Sequence, residues 1–373
     1  MSAGDRQTAR GPLLPAACRR GYFRAIIPQV TPLRYRDTAA PLRGCLFPFL
    51  LVCALFARPV PGSAQTIKIG TVAPAGSPWV ESLRRLGGDL QTASGGTLRV
   101  RIYAGGAAGE EADMIRKMRI GQLQGAALTQ LGLSLLEPGL LALSTPFLVQ
   151  GEQELDHVMQ RLRPRYTRGL EGKGYHLLAF MKAGWVHFFG RRPVVTPADL
   201  RGQRLGLPDG DAEFLEIWRR MGFNAFSLPL GDLLVGLQSG MVDAYYSPPA
   251  VAASFQWFAL TPYMSSMRIA PVIGGVVLSE RALAAIPEAL RPQVRARFVE
   301  LERELDLSMA VLEEDALAAM RRRGLLLDPV PPEVLREWER LGEQGAEGIV
   351  GRLFSREDYQ AVIAAVDEHR SRR

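Results

Sequence analysis

Few side chains in this sequence have the types and spacing that metal binding or catalysis requires. The four histidines are His157, His176, His187 and His369. They form no HExxH or comparable ligand spacing, so the sequence does not support a metalloenzyme. It also contains no GxSxG nucleophile motif, no GxxxxGKS or GxxxxGKT phosphate loop, and no GxGxxG that opens a helix after a strand. We therefore predict no catalytic residue, no metal and no cofactor.

Two short segments resemble chemical sites but have simpler interpretations. Gly105, Gly106 and Gly109 could cradle a phosphate, yet loop glycines more often provide turn geometry. Asp209 and Asp211 could form a carboxylate pair, yet they precede a predicted helix, where such residues more often act as caps. The missing catalytic motifs and these simpler interpretations favour a binding protein over an enzyme.

The positive charge of the chain is confined to its first 64 residues. The formal charge is +7 over 373 residues, and residues 1–64 carry nine Arg, no Lys and two Asp, which accounts for all of it. The remaining 309 residues hold 36 basic and 36 acidic side chains. A nucleic-acid-binding protein needs a positive surplus in its folded part, so this class is excluded and no nucleic-acid partner is expected.

Residues 1–64 have the layout of a leader that contains a signal peptide. An uncharged apolar run at residues 45–57 follows Arg43 and precedes the small residues that end at Ala64. The run is shorter than the 20 or so residues that span a bilayer, which disfavours the alternative of a membrane anchor. We predict cleavage near Ala64 and a soluble, exported mature chain. Residues 1–40 make the leader longer than is usual for a bacterial signal peptide. This indicates that the translation start has been placed too far upstream.

The mature chain would have no cysteine, because all three lie in this leader at Cys18, Cys45 and Cys53. Disulfides, thiolate chemistry and cysteine metal sites are then excluded. Cys53 follows Leu51-Val52, which is a poor lipid-attachment sequence, so we do not expect lipidation there.

Strand and helix patterns alternate along the mature chain. Residues 66–72 alternate apolar and polar side chains, and Ser77-Pro78 then predicts a helix through about Leu90. A second strand is predicted at residues 98–103 and a second helix from about Glu110. Strand, helix, strand and helix with short connections indicate an α/β fold with parallel sheets.

A weak internal repeat indicates where a ligand would bind. Residues 118–128 and 237–246 share one plan, in which glycine ends a helix and a short turn leads into a strand. One strand runs into Thr129-Gln130 and the other into Tyr245-Tyr246-Ser247. Ligands bind beyond the carboxyl ends of parallel strands, so two such lobes would enclose a cleft. Chance similarity of two α/β turns is the alternative.

The later segments are predicted to connect and support these lobes. Residues 176–189 form a long, mostly apolar strand that could cross between lobes. From Arg281 the sequence is nearly all helical, with helices predicted within residues 293–323, 331–346 and 357–370. We interpret these helices as packing elements.

Several segments resemble the solute-binding proteins of TRAP (tripartite ATP-independent periplasmic) transporters, dicarboxylate-binding type. Residues 196–208 resemble the family segment "tPeDLkGlKiRvP", and three other matches follow the family order: "TgGrl" at 92–98, "lslPFLf" at 144–148 and "LqtGvvDgqenP" at 237–248. The resemblance covers about residues 67–367. It implies a two-lobed periplasmic binding protein (type II-like), with hinge strands, a long connecting helix and a helical C-terminus.

The resemblance also implies a division of the chain. Its parts are the leader at 1–64, mainly lobe 1 at 65–185, mainly lobe 2 at 186–280, and a helical part that packs across both lobes at 281–373. The lobes are expected to close on a small organic ligand and deliver it to TRAP membrane permease subunits in the periplasm.

The sequence departs from the family where the family binds carboxylates. The arginine of "KiRvP" falls on Gly206, the arginine of the preceding "GxR" strand falls on Val186, and the asparagine of "qenP" falls on Ser247. Arg204 corresponds to the lysine of the motif. Losing arginine removes the planar fork that pairs bidentately with a carboxylate. The ligand is therefore expected to be less polar than a C4-dicarboxylate, such as an aromatic or apolar acid.

The candidate ligand-binding residues follow from the segments that border the cleft in the family. They are Trp79, Gln130, Lys182, Trp185, His187, Gly206, Tyr245, Tyr246 and Ser247. Lys182 could act as a point charge if it faces the cleft. For each aromatic residue, core packing is the alternative role.

Three functions remain open at this stage. The first is a periplasmic TRAP solute-binding protein that works by hinged closure. The second is an exported enzyme on the same fold, which the missing acid, base and nucleophile set disfavours. The third is an exported ligand carrier or interaction module that acts without a permease. The sequence favours the first and predicts that the protein is not an enzyme.

Overall fold

The computed structural model describes residues 65–208 and 212–372. The predicted leader and the Asp209 and Asp211 pair lie outside the described residues. Within them, the α/β class predicted from the sequence is confirmed.

The strands are β1 (Gln65–Thr71), β2 (Leu98–Tyr103), β3 (Gly125–Thr129), β4 (Tyr175–Gly190), β5 (Arg204–Pro208), β6 (Asn224–Leu228), β7 (Ala244–Ser247), β8 (Tyr263–Ser265), β9 (Ala270–Ser279) and β10 (Leu326–Asp328). The α-helices are α1 (Pro78–Ala93), α2 (Glu111–Arg119), α3 (Gln130–Ser134), α4 (Glu152–Glu171), α5 (Pro197–Arg201), α6 (Ala212–Arg220), α7 (Leu233–Ser239), α8 (Pro249–Ser254), α9 (Glu280–Ala285), α10 (Arg291–Arg322), α11 (Pro332–Glu347) and α12 (Arg356–Arg370). The 3-10 helices are Pro138–Ser144, Leu230–Asp232, Trp257–Ala259 and Glu288–Leu290.

The strands form two groups joined through β4 and β9. In the first group β2, β1 and β3 are parallel, and β9 runs antiparallel to β3. In the second group β6, β5 and β7 are parallel. The full order is β2-β1-β3-β9-β4-β7-β5-β6, with β8 beside the end of β4 and β10 beside β8.

Strand β4 belongs to both groups. Residues 175–186 pair antiparallel with β9, and residues 187–190 pair antiparallel with β7. Its ladder with β9 is irregular between Lys182 and Trp185, where the register shifts. The crossover strand predicted over residues 176–189 is therefore confirmed, and it carries a bulge just before the point, between residues 186 and 187, where its pairing passes from β9 to β7.

Local sequence signals fix where several elements begin and end. Ser77 caps α1 by accepting a hydrogen bond from the Val80 amide at 3.4 Å, and Pro78 follows at the first helical position. Thr196 and Asp199 form a reciprocal capping box at α5. Gly240 ends α7 in the left-handed conformation, with a φ of 72°.

The apolar core follows this organisation. One cluster joins β1 and β9 to α1 and α10, with Ile67, Leu83 and Phe298 among its members. Another packs α7 and α8 against β4 and β7 around Phe189 and Tyr245. Helix α10 packs against β4, α1 and α8, so it backs strands of both groups.

The C-terminal helices predicted from the sequence are confirmed within one or two residues at most boundaries. The sequence did not predict β10, which pairs with β8 in the second group. None of the described helices combines the length and apolar character needed to cross a membrane.

Candidate ligand-binding site

A cavity of about 360 Å³ lies where β3 and β7 end. Thr129 and Gln130 line it from the end of β3 and the start of α3, and Tyr246, Ser247 and Pro248 line it from the end of β7. These are the two strand ends that the internal repeat singled out. The cavity therefore lies at the carboxyl ends of strands from both groups, where ligands bind in α/β sheets.

Other elements complete the wall between these two strand ends. Val186 comes from β4, Trp218 from α6, and Ser144 from the end of the 3-10 helix. The remaining lining residues are Leu131, Leu141, Pro146, Val251, Ile269, Ala270, Pro271 and Val272. The last four surround the start of β9, so both crossing strands contribute to the cavity.

None of the 16 described residues that line this cavity is Asp, Glu, Lys or Arg. Its polar side chains are the amide of Gln130, the hydroxyls of Thr129, Ser144, Ser247 and Tyr246, and the indole of Trp218. An ionised carboxylate enclosed there would find no charged partner among the described lining residues. Each unpaired charge adds to the cost of burial, so a dicarboxylate fits worse than a ligand with one charge or none.

Hydrogen bonds hold the neutral polar groups in place. Gln130 Nε2 donates to the Leu140 carbonyl at 3.2 Å, and Gln130 Oε1 accepts from the Ser144 hydroxyl. Ser144 Oγ also lies 3.1 Å from the Pro271 carbonyl oxygen. The Ser247 hydroxyl donates to the Pro248 carbonyl at 3.1 Å. This small network ties the end of β3 to the start of β9.

Glu111 anchors the loop that carries Thr129. Its carboxylate accepts a hydrogen bond from Thr129 Oγ1 at 2.7 Å and another from the Thr129 amide. Burial raises the pKa of Glu111, while these bonds to Thr129 act to lower it. A Cβ placed on Gly132 would lie 2.7 Å from the Glu111 carboxyl carbon, so a larger residue there would displace this anchor.

An aromatic cluster stands behind one wall of the cavity. Trp218 is 1% exposed, and its ring centroid lies 5.5 Å from those of both Tyr246 and Phe188. Phe147 meets Trp218 edge-on at 6.3 Å. These rings fix the position of Tyr246 and make the wall rigid and apolar.

Residues 69–347 match the family described as bacterial extracellular solute-binding protein, family 7. The chain belongs to this family. Its sequence is similar to a solute-binding protein of Roseobacter denitrificans, with 23% identity over 322 residues that cover 85% of this chain and 92% of the relative.

Solved structures show the same fold. The protein is similar to a TRAP periplasmic solute-binding protein of Ochrobactrum anthropi with a TM-score of 0.76 at 20% identity, covering 83% of this chain and 97% of that one. A TRAP protein of Desulfovibrio salexigens with bound orotic acid gives 0.71 at 18% identity, covering 82% and 99%. The two-lobed fold and the resemblance to TRAP proteins are confirmed. The family consists of solute receptors rather than enzymes, and membership implies a periplasmic location.

Two departures from the family pattern line the cavity of this solute-binding protein. Val186 stands where the resemblance places an arginine, and Ser247 stands where it places an asparagine. Of the predicted binding residues, Gln130, Tyr246 and Ser247 are brought together here.

Gly206 does not line this cavity. A Cβ placed on Gly206 would lie 3.0 Å from Leu233 Cδ1 and 3.2 Å from Val242 Cγ1, so the position faces the core beneath α7. Tyr245 pairs with Gly206 in the sheet and points to the same core, where its ring stacks on Phe189 at 5.1 Å. Because successive strand residues face opposite sides, Tyr246 reaches the cavity and Tyr245 does not.

Arg204 also lies away from the cavity, at the opposite end of β5 from the ligand-binding edge. Its guanidinium pairs bidentately with Asp243, at 2.7 Å for Nε and 2.9 Å for Nη2. The hydrogen bond to Arg204 lowers the pKa of Asp243. This pair links the starts of β5 and β7.

Lys182 is surrounded by carboxylates rather than facing this cavity. Its ammonium lies 2.7 Å from Asp156, 3.3 Å from Glu152 and 4.0 Å from Asp306. Burial acts to lower the pKa of Lys182, but the hydrogen bond to Asp156 and the nearby carboxylates raise it overall.

His187 and Lys182 line a second cavity of about 830 Å³, between β4 and α10. His187 Nδ1 donates to the Ser265 carbonyl at 3.1 Å, and burial lowers the pKa of His187 to about 4. Trp185 is buried beside this space, with its indole donating to Glu152 and Arg268 over its ring at 5.2 Å.

Trp79 packs onto the strand next to the smaller cavity. A Cβ placed on Gly274 would lie 2.8 Å from Trp79 Cη2, so the ring covers that glycine of β9. The predicted residues Trp79, Lys182, Trp185, His187, Gly206 and Tyr245 are therefore not among those that line the cavity at β3 and β7.

Sequence reasoning missed several residues of this cavity. Ser144 and Pro146 lie in the segment that resembles "lslPFLf", so a signal was present and was not used. Trp218 is one of several apolar residues on a predicted helix, so the sequence does not distinguish it from a core residue. The start of β9 carries no polar signal at all, since its contribution to the cavity is apolar.

In residues 65–208 and 212–372, no three or more His, Cys, Asp or Glu side chains are grouped so that they could hold a metal ion.

Proposed function

We propose that this solute-binding protein captures a small organic ligand, less polar than a C4-dicarboxylate, in the cavity at β3 and β7. The lobes then close on the ligand, and the protein delivers it to a TRAP permease. The observation that carries this proposal is the uncharged lining, with Val186 at the position where the resemblance expects an arginine.

Among its described lining residues, this cavity holds no cation that could pair with a carboxylate. A hydrogen bond to a charged group contributes about 1.5–3 kcal/mol, and a bidentate arginine pair provides two of them. Lys182 and Arg204, the two basic candidates to replace the family arginine, are both engaged with carboxylates elsewhere. A dicarboxylate in this cavity would lose its solvation without gaining an ion pair from the described lining.

The remaining groups suit a ligand with one polar end and an apolar body. Gln130, Ser144 and Ser247 provide neutral hydrogen-bonding groups, while Val186 and Trp218 provide apolar surface. A volume of about 360 Å³ is at the small end of ligand sites. A single carboxylate, hydroxyl or amide on a ring or branched chain fits this division. The solved relative from Desulfovibrio salexigens holds orotic acid, which is a ring acid.

The walls of the cavity come from both strand groups, which supports closure of the two lobes on the ligand. Thr129 and Gln130 belong to the first strand group, and Tyr246 and Ser247 to the second, while β4 and β9 pass between them. A ligand that contacts both groups gains its full set of contacts only when they approach each other.

Calorimetric titration with succinate and benzoate tests the proposed ligand class. The unmodified protein should bind benzoate more tightly than succinate, and Val186→Arg should reverse this order by adding a cation to the wall. Val186→Met is the matched control, because it adds bulk without charge and should not create succinate binding. Micromolar succinate binding by the unmodified protein would overturn the proposal.

A further inference from the structure

Strand β4 has an edge that is covered by a helix instead of a strand. Its residues 175–186 pair with β9 on one side. On the other side, the amides of Phe180, Lys182 and Trp185 donate to carboxylates of α10. The Phe180 amide donates to Glu302, the Lys182 amide donates to Asp306 at 3.1 Å, and the Trp185 amide donates to Glu313 at 3.1 Å. Buried backbone donors require partners, and here side chains provide them.

The three acceptors form one stripe along α10. Glu302, Asp306 and Glu313 are separated by four and seven residues, and at 3.6 residues per turn these spacings place them on the same face of a helix. We call Glu302, Asp306 and Glu313 the carboxylate stripe. The same helix also packs against α1 and α8, so the stripe holds β4 on an element that contacts both strand groups.

The last contact of the carboxylate stripe, made by Glu313, lies at the bulge of β4. Gly184 has a φ of 99°, in the left-handed region, and the register with β9 shifts between Lys182 and Trp185. A Cβ placed on Gly184 would lie 2.6 Å from the Glu313 carboxyl carbon. Glu313 therefore sits on the bulge that lies just before residues 186 and 187, where the pairing of β4 passes from β9 to β7.

We propose that the carboxylate stripe is the clamp of the hinge, and that Glu313 is the positioning residue that sets the bend of β4 during closure. This inference rests on the proposed function, since it assigns a part to the same hinged movement. A carboxylate can keep accepting an amide while its side chain rotates, so the clamp allows β4 to bend without leaving a buried donor unpaired.

The surroundings of Glu313 make this contact sensitive to protonation. The pKa of Glu313 is raised from its ordinary value of 4.5 to about 7, mainly by burial; the nearby Glu152 carboxylate also acts to raise it, while the Trp185 amide and Arg268 act to lower it. The other charged or titratable groups that line the same cavity are Lys182, His187, Asp306 and Glu314. A neutral carboxyl is a weaker acceptor than a carboxylate. The hydrogen bond from the Trp185 amide to Glu313 should therefore weaken as pH falls through about 7.

Hydrogen exchange of the ligand-free protein, followed by mass spectrometry, tests the inference. The measurement compares amides of residues 180–187 between pH 6 and pH 8, after correction for the intrinsic exchange rate. In the unmodified protein we expect protection of the Trp185 amide, which in this segment donates to Glu313, to be about five- to tenfold higher at pH 8, since a charge-assisted bond is stronger than a neutral one. Glu313→Gln should show the lower protection at both pH values.

Glu314→Gln is the matched control, because Glu314 neighbours Glu313 and lines the same cavity but no described amide of β4 donates to it. It should retain the pH dependence of the unmodified protein. Equal effects of the two variants, or an unmodified protein whose corrected protection does not change with pH, would overturn the inference. The pH series of the unmodified protein decides the question even if Glu313→Gln does not fold.

The experiment separates this inference from the proposed function because no ligand is present. A failed calorimetric test of ligand class would leave the exchange result standing. A flat exchange profile would remove the clamp without affecting ligand capture in the other cavity.

Discussion

The carboxyl group of Glu313 occupies the place where a side chain on Gly184 would stand. A Cβ on Gly184 would lie 2.6 Å from Glu313 Cδ, and the backbone at Gly184 has a φ of 99°, which side chains rarely adopt. Gly184 lies on the crossing strand and Glu313 on the long helix, more than a hundred residues later. The two positions are therefore matched, since the helix can approach the bulge of β4 only where that strand has no side chain.

Gly184→Ala should destabilise the protein more than a glycine substitution at another left-handed position. Gly174 has a φ of 82° with nothing within 4 Å of an added Cβ, so Gly174→Ala reports the backbone cost alone. We expect Gly174→Ala to lower the free energy of unfolding by about 1–2 kcal/mol and Gly184→Ala to lower it by about 1–3 kcal/mol more through overlap with Glu313. Urea unfolding measures both.

The double variant Gly184→Ala, Glu313→Ala isolates that overlap. Removing the carboxyl group frees the space, so the combined loss should be smaller than the sum of the single losses. Strictly additive losses would show that the two residues do not compete for the same space.

His187 should make stability depend on pH in the acid range. Its pKa is lowered from 6.5 to about 4 in the folded protein, mainly by burial. Between these two pH values the unfolded chain therefore binds more protons than the folded protein. The free energy of unfolding should rise with pH across this window. The contribution is complete above about pH 6.5 and is of the order of 3 kcal/mol.

His187→Asn tests this dependence, because asparagine can keep a donor toward the Ser265 carbonyl but does not titrate. The pH profiles of unfolding should converge toward pH 4 and separate toward pH 7. Glu313 titrates in both proteins, so the difference between the profiles reports His187. Parallel profiles would contradict a buried neutral imidazole at this position.

Gly206→Arg should unfold the protein more easily without creating a carboxylate site. The added side chain would meet Leu233 and Val242 at about 3 Å in the core beneath α7. We expect a loss of about 1–3 kcal/mol from overpacking and no succinate binding in calorimetry. Gly231→Arg, where nothing lies within 4 Å, is the control for adding a cation in the segment that follows β6. Succinate binding by Gly206→Arg alone would show that this position reaches the ligand.

The sequence predicted the strand ends that form the cavity, and the reason is local. The glycine turns before β3 and β7, and the polar or aromatic residues after them, are all contained within short segments. Thr129, Gln130, Tyr246 and Ser247 therefore identified the cavity from two places in the chain.

The side of the sheet to which each side chain points was harder to predict. Alternation shows that Tyr245 and Tyr246 point to opposite sides, but it does not show which side is the cavity. Lys182 and Trp185 flank a bulge, and their surroundings depend on carboxylates far away in sequence, such as Asp306 on α10. The helix interpreted as a packing element thus supplies the hydrogen bonds that hold the crossing strand.

The central claim is that the cavity at β3 and β7 holds a ligand of low charge. Mass spectrometry of the ligand that copurifies with the protein from its native host tests this most directly, with Val186→Arg and Val186→Ala purified in the same way. We predict a ligand with at most one carboxylate and an apolar or aromatic body, absent from Val186→Arg and still present in Val186→Ala. A C4-dicarboxylate recovered in stoichiometric amount, or the same ligand retained by Val186→Arg, would contradict the account.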